Sequence, residues 1–247
     1  MSVLTRRAVA EFAGTAFLVM AVVGSGVTAS RLSPNDVGLQ LLQNSIAAGA
    51  ALVALILALQ PVSASFNPVV TLVERALGIL DTPTALALIA AQFAGGLAGT
   101  VLANLMFGLD AVTLSTHERA GGGLWLGEVI ATVGLLLVIF GTIRSGRPDR
   151  VAFAVGGYIT AAYWFTSSTS FANPAVTVAR TITDTFAGIA PDSAPAFILA
   201  QLLGGAVGFF LIRALYPSVP ALPAPLPALA PAPAPLPAPA PDRKVLS

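Results

Sequence analysis

Two Asn-Pro dipeptides stand inside apolar stretches of this chain. One lies in Ser63-Ala64-Ser65-Phe66-Asn67-Pro68-Val69, the other in Ser168-Thr169-Ser170-Phe171-Ala172-Asn173-Pro174-Ala175-Val176. Asn is among the best helix N-caps, and Pro is favoured at the first helical position, where its missing N–H would have no partner anyway. Each dipeptide therefore predicts a helix start. The surroundings make this restrictive: 56% of the 247 residues are hydrophobic, 9% are charged and the mean hydropathy is +0.86, against about 25% charged in a soluble domain. A helix that begins here begins in lipid or protein. Non-helical backbone at that depth is tolerated only where protein buries it or water lines it.

Composition removes several function classes. A net charge of +1 with 12 Lys and Arg provides no basic surface for nucleic acid. The absence of cysteine removes disulfides, thiolate metal sites and Cys nucleophiles together. His117 is the sole histidine, beside Glu118 and Arg119 in a polar loop, and reads as a solvated residue. No metal ligand cluster, cofactor motif or catalytic set is present to suggest an enzyme.

Six stretches are long and apolar enough to be spans, near 8–29, 39–59, 84–107, 124–143, 151–165 and 195–215, given the roughly 20 helical residues a bilayer requires. Arg6-Arg7 before the first run resembles a secretory signal, but Glu11 interrupts that run and the same feature recurs at Glu128. The two halves match in order: Glu11 with Glu128, the two Asn-Pro segments, and Ala91-Gln92-Phe93-Ala94-Gly95-Gly96 with Ala200-Gln201-Leu202-Leu203-Gly204-Gly205. Asn67 to Gln92 is 25 residues and Asn173 to Gln201 is 28. Three spans separate the copies, so the second enters from the opposite side, an inverted repeat of about 6–107 and 124–216. A cytoplasmic N-terminus puts Arg6, Arg7, Arg144, Arg147, Arg150 and Arg213 inside and Arg31 and Arg119 outside, in keeping with the positive-inside rule. The C-terminus is then cytoplasmic too. Residues 217–241 alternate Pro with Ala and Leu so densely that an extended, solvated tail is expected over 217–247.

Between the second and third spans, residues 59–84 are too apolar for a simple loop and too short for another crossing. A half-helix over 68–77 covers about 15 Å, half the hydrocarbon core, with Gly78 placed just after its C-cap. The second copy is expected over 174–183. Entering from opposite faces, the two would meet N-terminus to N-terminus, each carrying about half a positive charge. With each Asn oxygen capping its own helix, the amide NH2 would be left free to donate. A permeating molecule there should be an uncharged acceptor.

These residues resemble the aquaporin and glycerol-facilitator family, known for paired Asn-Pro-Ala boxes on two such half-helices. The resemblance covers about 6–216 and implies an all-α membrane fold of six spans plus two re-entrant half-helices. It further implies a homotetramer in the inner (plasma) membrane with one pore per subunit, passively conducting small neutral solutes and water. The pore midplane would be Asn67, Pro68, Val69, Asn173, Pro174 and Ala175. The buried Glu11 and Glu128 would accept hydrogen bonds from the re-entrant loops as scaffold.

Two departures stand out. Val69 replaces the Ala of the first box, adding bulk where the boxes stack. Family water pores carry an Arg three residues after the second Asn, and here that position is Val176. Ungapped counting places the other outer-filter positions at Ala47 or Ala48 and near Ala161, with Ser170 from the loop. All are small or apolar, so a wide filter is expected, and the run around Asn173 resembles a bacterial branch associated with arsenic resistance and small polyol or metalloid passage. Arg180, four residues after Val176, is a displaced filter charge, the i+4 partner of Asp184, or a residue facing the headgroups. Rival readings remain a water-selective pore, a gradient-coupled transporter, which inverted repeats also build, and a non-conducting structural protein.

Overall fold

The computed structural model describes residues 1–217; the tail expected over 217–247 lies outside them, Pro217 apart. The described residues form α1 (Val3–Leu32), α2 (Val37–Leu59), α3 (Pro68–Ala76), α4 (Thr82–Met106), α5 (Gly122–Arg144), α6 (Val151–Phe165), α7 (Pro174–Ala179) and α8 (Ala194–Leu215), with no strand among them. The six expected spans are α1, α2, α4, α5, α6 and α8, and the two expected half-helices are α3 and α7. Five of the spans are long and apolar enough to cross a bilayer. The exception, α6, has 15 residues and rises about 22 Å, with a 3-10 turn at Pro148–Arg150 directly before it.

Local chemistry sets the boundaries. Asp36 and Asp81 cap α2 and α4 by accepting from Leu39 N and Thr84 N, each at 2.9 Å. Gly78 follows the C-cap of α3 at φ 77°, the left-handed conformation in which glycine is unpenalised. The second half-helix departs from the expected 174–183: it is α-helical only to Ala179, then tightens into a 3-10 turn at Arg180–Ile182. Val176, Thr177 and Val178 are β-branched and hold an α-helix weakly.

The packing repeats across the halves. α1 lies along α4 as α5 lies along α8, α1 neighbours α2 as α5 neighbours α6, and α2 meets α6 where the halves join. Missing side chains permit these approaches. A Cβ on Gly49 would stand 2.9 Å from Gly156 O, and one on Gly156 2.7 Å from Gly49 O, so α2 and α6 touch backbone to backbone. Gly95 and Gly99 of α4 face the backbone of α1 at Phe12 and Ala16, while Gly204 and Gly208 of α8 face Val129, Thr132 and Leu136 of α5. Both small-xxx-small pairs serve packing within the subunit.

Each half-helix is reached through a loop tied to a buried carboxylate. Glu11, fully buried on α1, accepts from Ser63 Oγ at 2.5 Å, Ser65 N at 2.8 Å and Phe66 N at 2.7 Å, and from Gln92 Nε2 of α4 at 2.8 Å. Glu128 of α5 accepts from Phe171 N at 2.9 Å, Ala172 N at 2.8 Å and Gln201 Nε2 of α8 at 2.6 Å. Gln92 and Gln201 also donate to Thr71 and Thr177, on α3 and α7, at 2.9 and 2.8 Å. Every long helix of the repeat that bears a landmark residue thus holds the loop or the half-helix.

Two outcomes are expected. Glu128→Gln turns an NH2 toward backbone donors and leaves at least one buried N–H unpaired, at about 1–3 kcal/mol; detergent-solubilised protein should elute with a reduced monodisperse fraction, and the surviving fraction should show no new pH dependence of transport. Gly204→Val places a Cβ within 2.8 Å of Val129 O, overpacking that costs about 1–3 kcal/mol or more; a thermal melt should fall by several degrees, and an unchanged melt would refute the close α5–α8 approach.

Candidate functional site

The two half-helices meet tip to tip. Asn67 Oδ1 accepts from Val69 N at 3.0 Å, and Asn173 Oδ1 accepts from Ala175 N at 3.0 Å and Val176 N at 3.2 Å, so both asparagines cap their own helices. Pro68 and Pro174 occupy the first helical positions. Each amide then crosses to the other half: Asn67 Nδ2 donates to Ala172 O and Asn173 Nδ2 to Phe66 O, both at 2.7 Å. The amides are therefore not wholly free, as capping alone suggests. One of the two N–H bonds on each is committed, and one remains to donate. Asn67 and Asn173 are 4% and 5% exposed, enough surface for a single further contact each.

Phe66 and Ala172, whose carbonyls receive these amides, both have φ 48°. For residues with a Cβ, this left-handed conformation costs about 1–3 kcal/mol each. The same two residues donate their N–H groups to Glu11 and Glu128. In each loop one and the same left-handed residue, Phe66 or Ala172, therefore links a buried carboxylate on one side to the opposing asparagine on the other. The bonds to charged acceptors, about 1.5–3 kcal/mol each, offset the strain.

The box substitution is absorbed away from the tips. Val69 turns toward α8, where a Cβ on Gly205 would lie 2.7 Å from Val69 Cγ1. In the matching place a Cβ on Gly96 of α4 would lie 3.1 Å from the Ala179 methyl and 3.2 Å from Ala175 O. The valine methyls thus occupy space left by a glycine, and both crossed amide bonds form at 2.7 Å.

Of the expected outer-filter residues, Ala48, Ser170 and Val176 are buried at 1%, 3% and 5% exposure, and Ala47 is half-buried. Ser170, at φ 53°, has a buried hydroxyl with no partner among the described residues. Ala161 is placed differently from the ungapped expectation. It lies on the exposed stripe of α6 with Phe153 and Trp164, while Ile159, Ala162 and Tyr163 form the buried face. A helical side chain turns about 100° per residue, so an offset of one is enough to move a position off the inner face.

Arg180 does not pair with Asp184. That carboxylate accepts from Thr116 N at 2.9 Å and Thr116 Oγ1 at 3.0 Å and lies 3.9 Å from His117 Nε2; the Thr116 backbone bond holds it below the ordinary carboxylate range. Arg180 is instead 3% exposed, too buried to face headgroups. Its guanidinium carbon lies 3.4 Å from the centre of the Phe171 ring, and its Nε donates to Ala187 O. Arg119 approaches the same ring at 5.1 Å and donates from Nε to Gly188 O at 2.9 Å. The connection between the repeats is pinned over this region by Thr113 N to Ile182 O, Ser115 N to Thr181 O, and Ala190 N to His117 O.

Gln92, Gln201, Thr71 and Thr177 carry more of the site than their composition suggests. The glutamines were visible as repeat landmarks, and their matched positions were the signal that they do the same work twice. The accepting carbonyls of Phe66 and Ala172 have no side-chain signature at all.

A family model described as Major intrinsic protein matches residues 1–150. The curated relative "Aquaglyceroporin AqpS" of Rhizobium meliloti (strain 1021) is 49% identical over 221 residues, spanning 89% of this chain and 94% of the relative. The X-ray structure of the aquaglyceroporin from Plasmodium falciparum matches with a TM-score of 0.64 at 20% identity, over 87% of this chain and 96% of that one, a likeness of fold. The chain belongs to the major intrinsic protein family of multi-pass membrane channels.

Proposed function

We propose that this chain passively conducts small uncharged solutes, namely glycerol-sized polyols, metalloid hydroxides such as arsenite, and water, through an outer constriction without the family's usual arginine after the second box. The observation that carries the reading is the pair of crossed asparagine amides at the meeting point. Each keeps one uncommitted N–H, so the midplane offers two donors. The two adjoining helix N-termini oppose cations there. A neutral molecule bearing hydroxyl oxygens fits both conditions. Arsenite near neutral pH is largely the trihydroxide, similar in size and bonding to glycerol.

The width of the path is argued from side chains. Val176 stands where the family's arginine would be, and Ala47 or Ala48 and Ser170 are the small partners assigned to it; a residue of the buried face of α6 completes the ring. The 49% identical relative bears the name aquaglyceroporin, in keeping with passage of more than water. We place the channel as a homotetramer in the inner membrane with cytoplasmic termini. Outward-facing Phe17, Leu57, Leu86, Phe153 and Phe210 call for lipid or neighbouring subunits.

Stopped-flow light scattering on proteoliposomes, with water, glycerol, urea and arsenite compared at equal protein content, tests the reading. Glycerol and arsenite should enter several-fold faster than in empty vesicles. Water flux with glycerol and arsenite both at the empty-vesicle rate would defeat the wide path, and saturable uptake driven by an ion gradient would replace conduction with coupled transport.

A further inference from the structure

Arg180 stands seven residues after Asn173, and Glu74 stands seven after Asn67. Both side chains run back along their half-helix and end on the residue two before the asparagine. Glu74 Oε2 accepts from Ser65 Oγ at 2.9 Å, and the Arg180 guanidinium lies on Phe171. Helical side chains lean toward the helix N-terminus, so a long one covers the turn preceding its own Cα. For Arg180, that turn carries Val176. The residues Pro174, Ala175 and Val176 offer no side-chain donor, and the guanidinium drawn back over them does.

Its surroundings add to this. No carboxylate lies within ion-pair distance of Arg180 among the described residues. Of its five N–H donors, the one on Nε is met by Ala187 O, and Nη1 and Nη2 find no acceptor among the described residues. A buried cation in that state is costly unless oxygen atoms from elsewhere reach its donors. A Cβ added to Gly26 of α1 would lie 3.5 Å from the Ala187 methyl, while Tyr163 of α6 and Glu128 of α5 are near enough to act on the guanidinium electrostatically. Arg180 therefore lies between the first-half and second-half helices, at the C-terminal end of α7.

We infer that Arg180 is the specificity-determining cation of the outer constriction: its Nη groups donate to the oxygens of passing neutral solutes and its charge opposes cations, from one turn beyond Val176. Phe171 and the Ala187 carbonyl are its positioning groups. The inference rests on the conduction reading above. The opposite sign at the matched inner position, Glu74, makes the two mouths chemically unlike although their geometry repeats.

Wild type, Arg180→Ala, Arg180→Gln and Arg180→Lys are reconstituted from monodisperse fractions, and each is read for potassium leak and, separately, for glycerol entry. Ala and Gln should raise the leak about tenfold or more, since a unit charge a few ångströms from the path is worth over one decade at an intermediate dielectric, and should change glycerol entry several-fold. Lys should keep the leak low and still alter glycerol entry, because it lacks the flat fork that Phe171 supports. Folded Ala and Gln variants with wild-type leak and entry would overturn the proposal. If those two aggregate, Lys decides: glycerol entry identical to wild type overturns the donor role. Wild-type vesicles closed to glycerol would sink the conduction reading, and the leak comparison would still judge the charge.

Discussion

Two buried carboxylates without cationic partners hold this structure at its centre. Glu11 and Glu128 are each fully enclosed, and each is satisfied by backbone N–H groups of a re-entrant loop and a glutamine amide. A carboxylate so placed is tolerable only if its lone pairs are filled. That requirement fixes the loop, the loop fixes a left-handed residue, and that residue's carbonyl fixes the asparagine of the opposite half. Removing the acceptor therefore disturbs both half-helices, including the one it does not touch.

The solution is built twice from unlike sequence. Ser63 contributes a hydroxyl to Glu11, whereas Glu128 uses two backbone donors of its loop and a glutamine. Gly205 makes room for the Val69 side chain in one half, whereas the matched Gly96 faces the Ala179 methyl and the Ala175 carbonyl in the other.

Much of this was legible in the order of residues. Asn-Pro predicts a capped helix start by local chemistry alone, and both caps form as that chemistry requires. Glu11, Glu128 and the matched glycines announced the repeat because charge and missing side chains are rare and costly inside apolar helices. What escaped depends on backbone shape or on side-chain reach. The left-handed carbonyls of Phe66 and Ala172 have no residue code, and one N–H of each asparagine amide is committed to an acceptor over a hundred residues away. Asp184 looked like the partner of Arg180 by spacing, but the 3-10 turn at Arg180–Ile182 breaks the regular helical register between them, and Thr116 claims the carboxylate. Ala161, reached by counting, lies on the exposed stripe of α6, since counting carries no information about the rotation of a helix.

The crossed amides also bear on how the chain is made. Asn67 finds its acceptor 105 residues downstream, and Phe66 receives its donor from 107 residues downstream. When the first four helices have left the ribosome, their re-entrant loop has a filled carboxylate beneath it and nothing above. It must wait in the translocon or the bilayer, half-assembled, until the second copy is synthesised. The first half can reach its finished form only by being the template against which the second one closes.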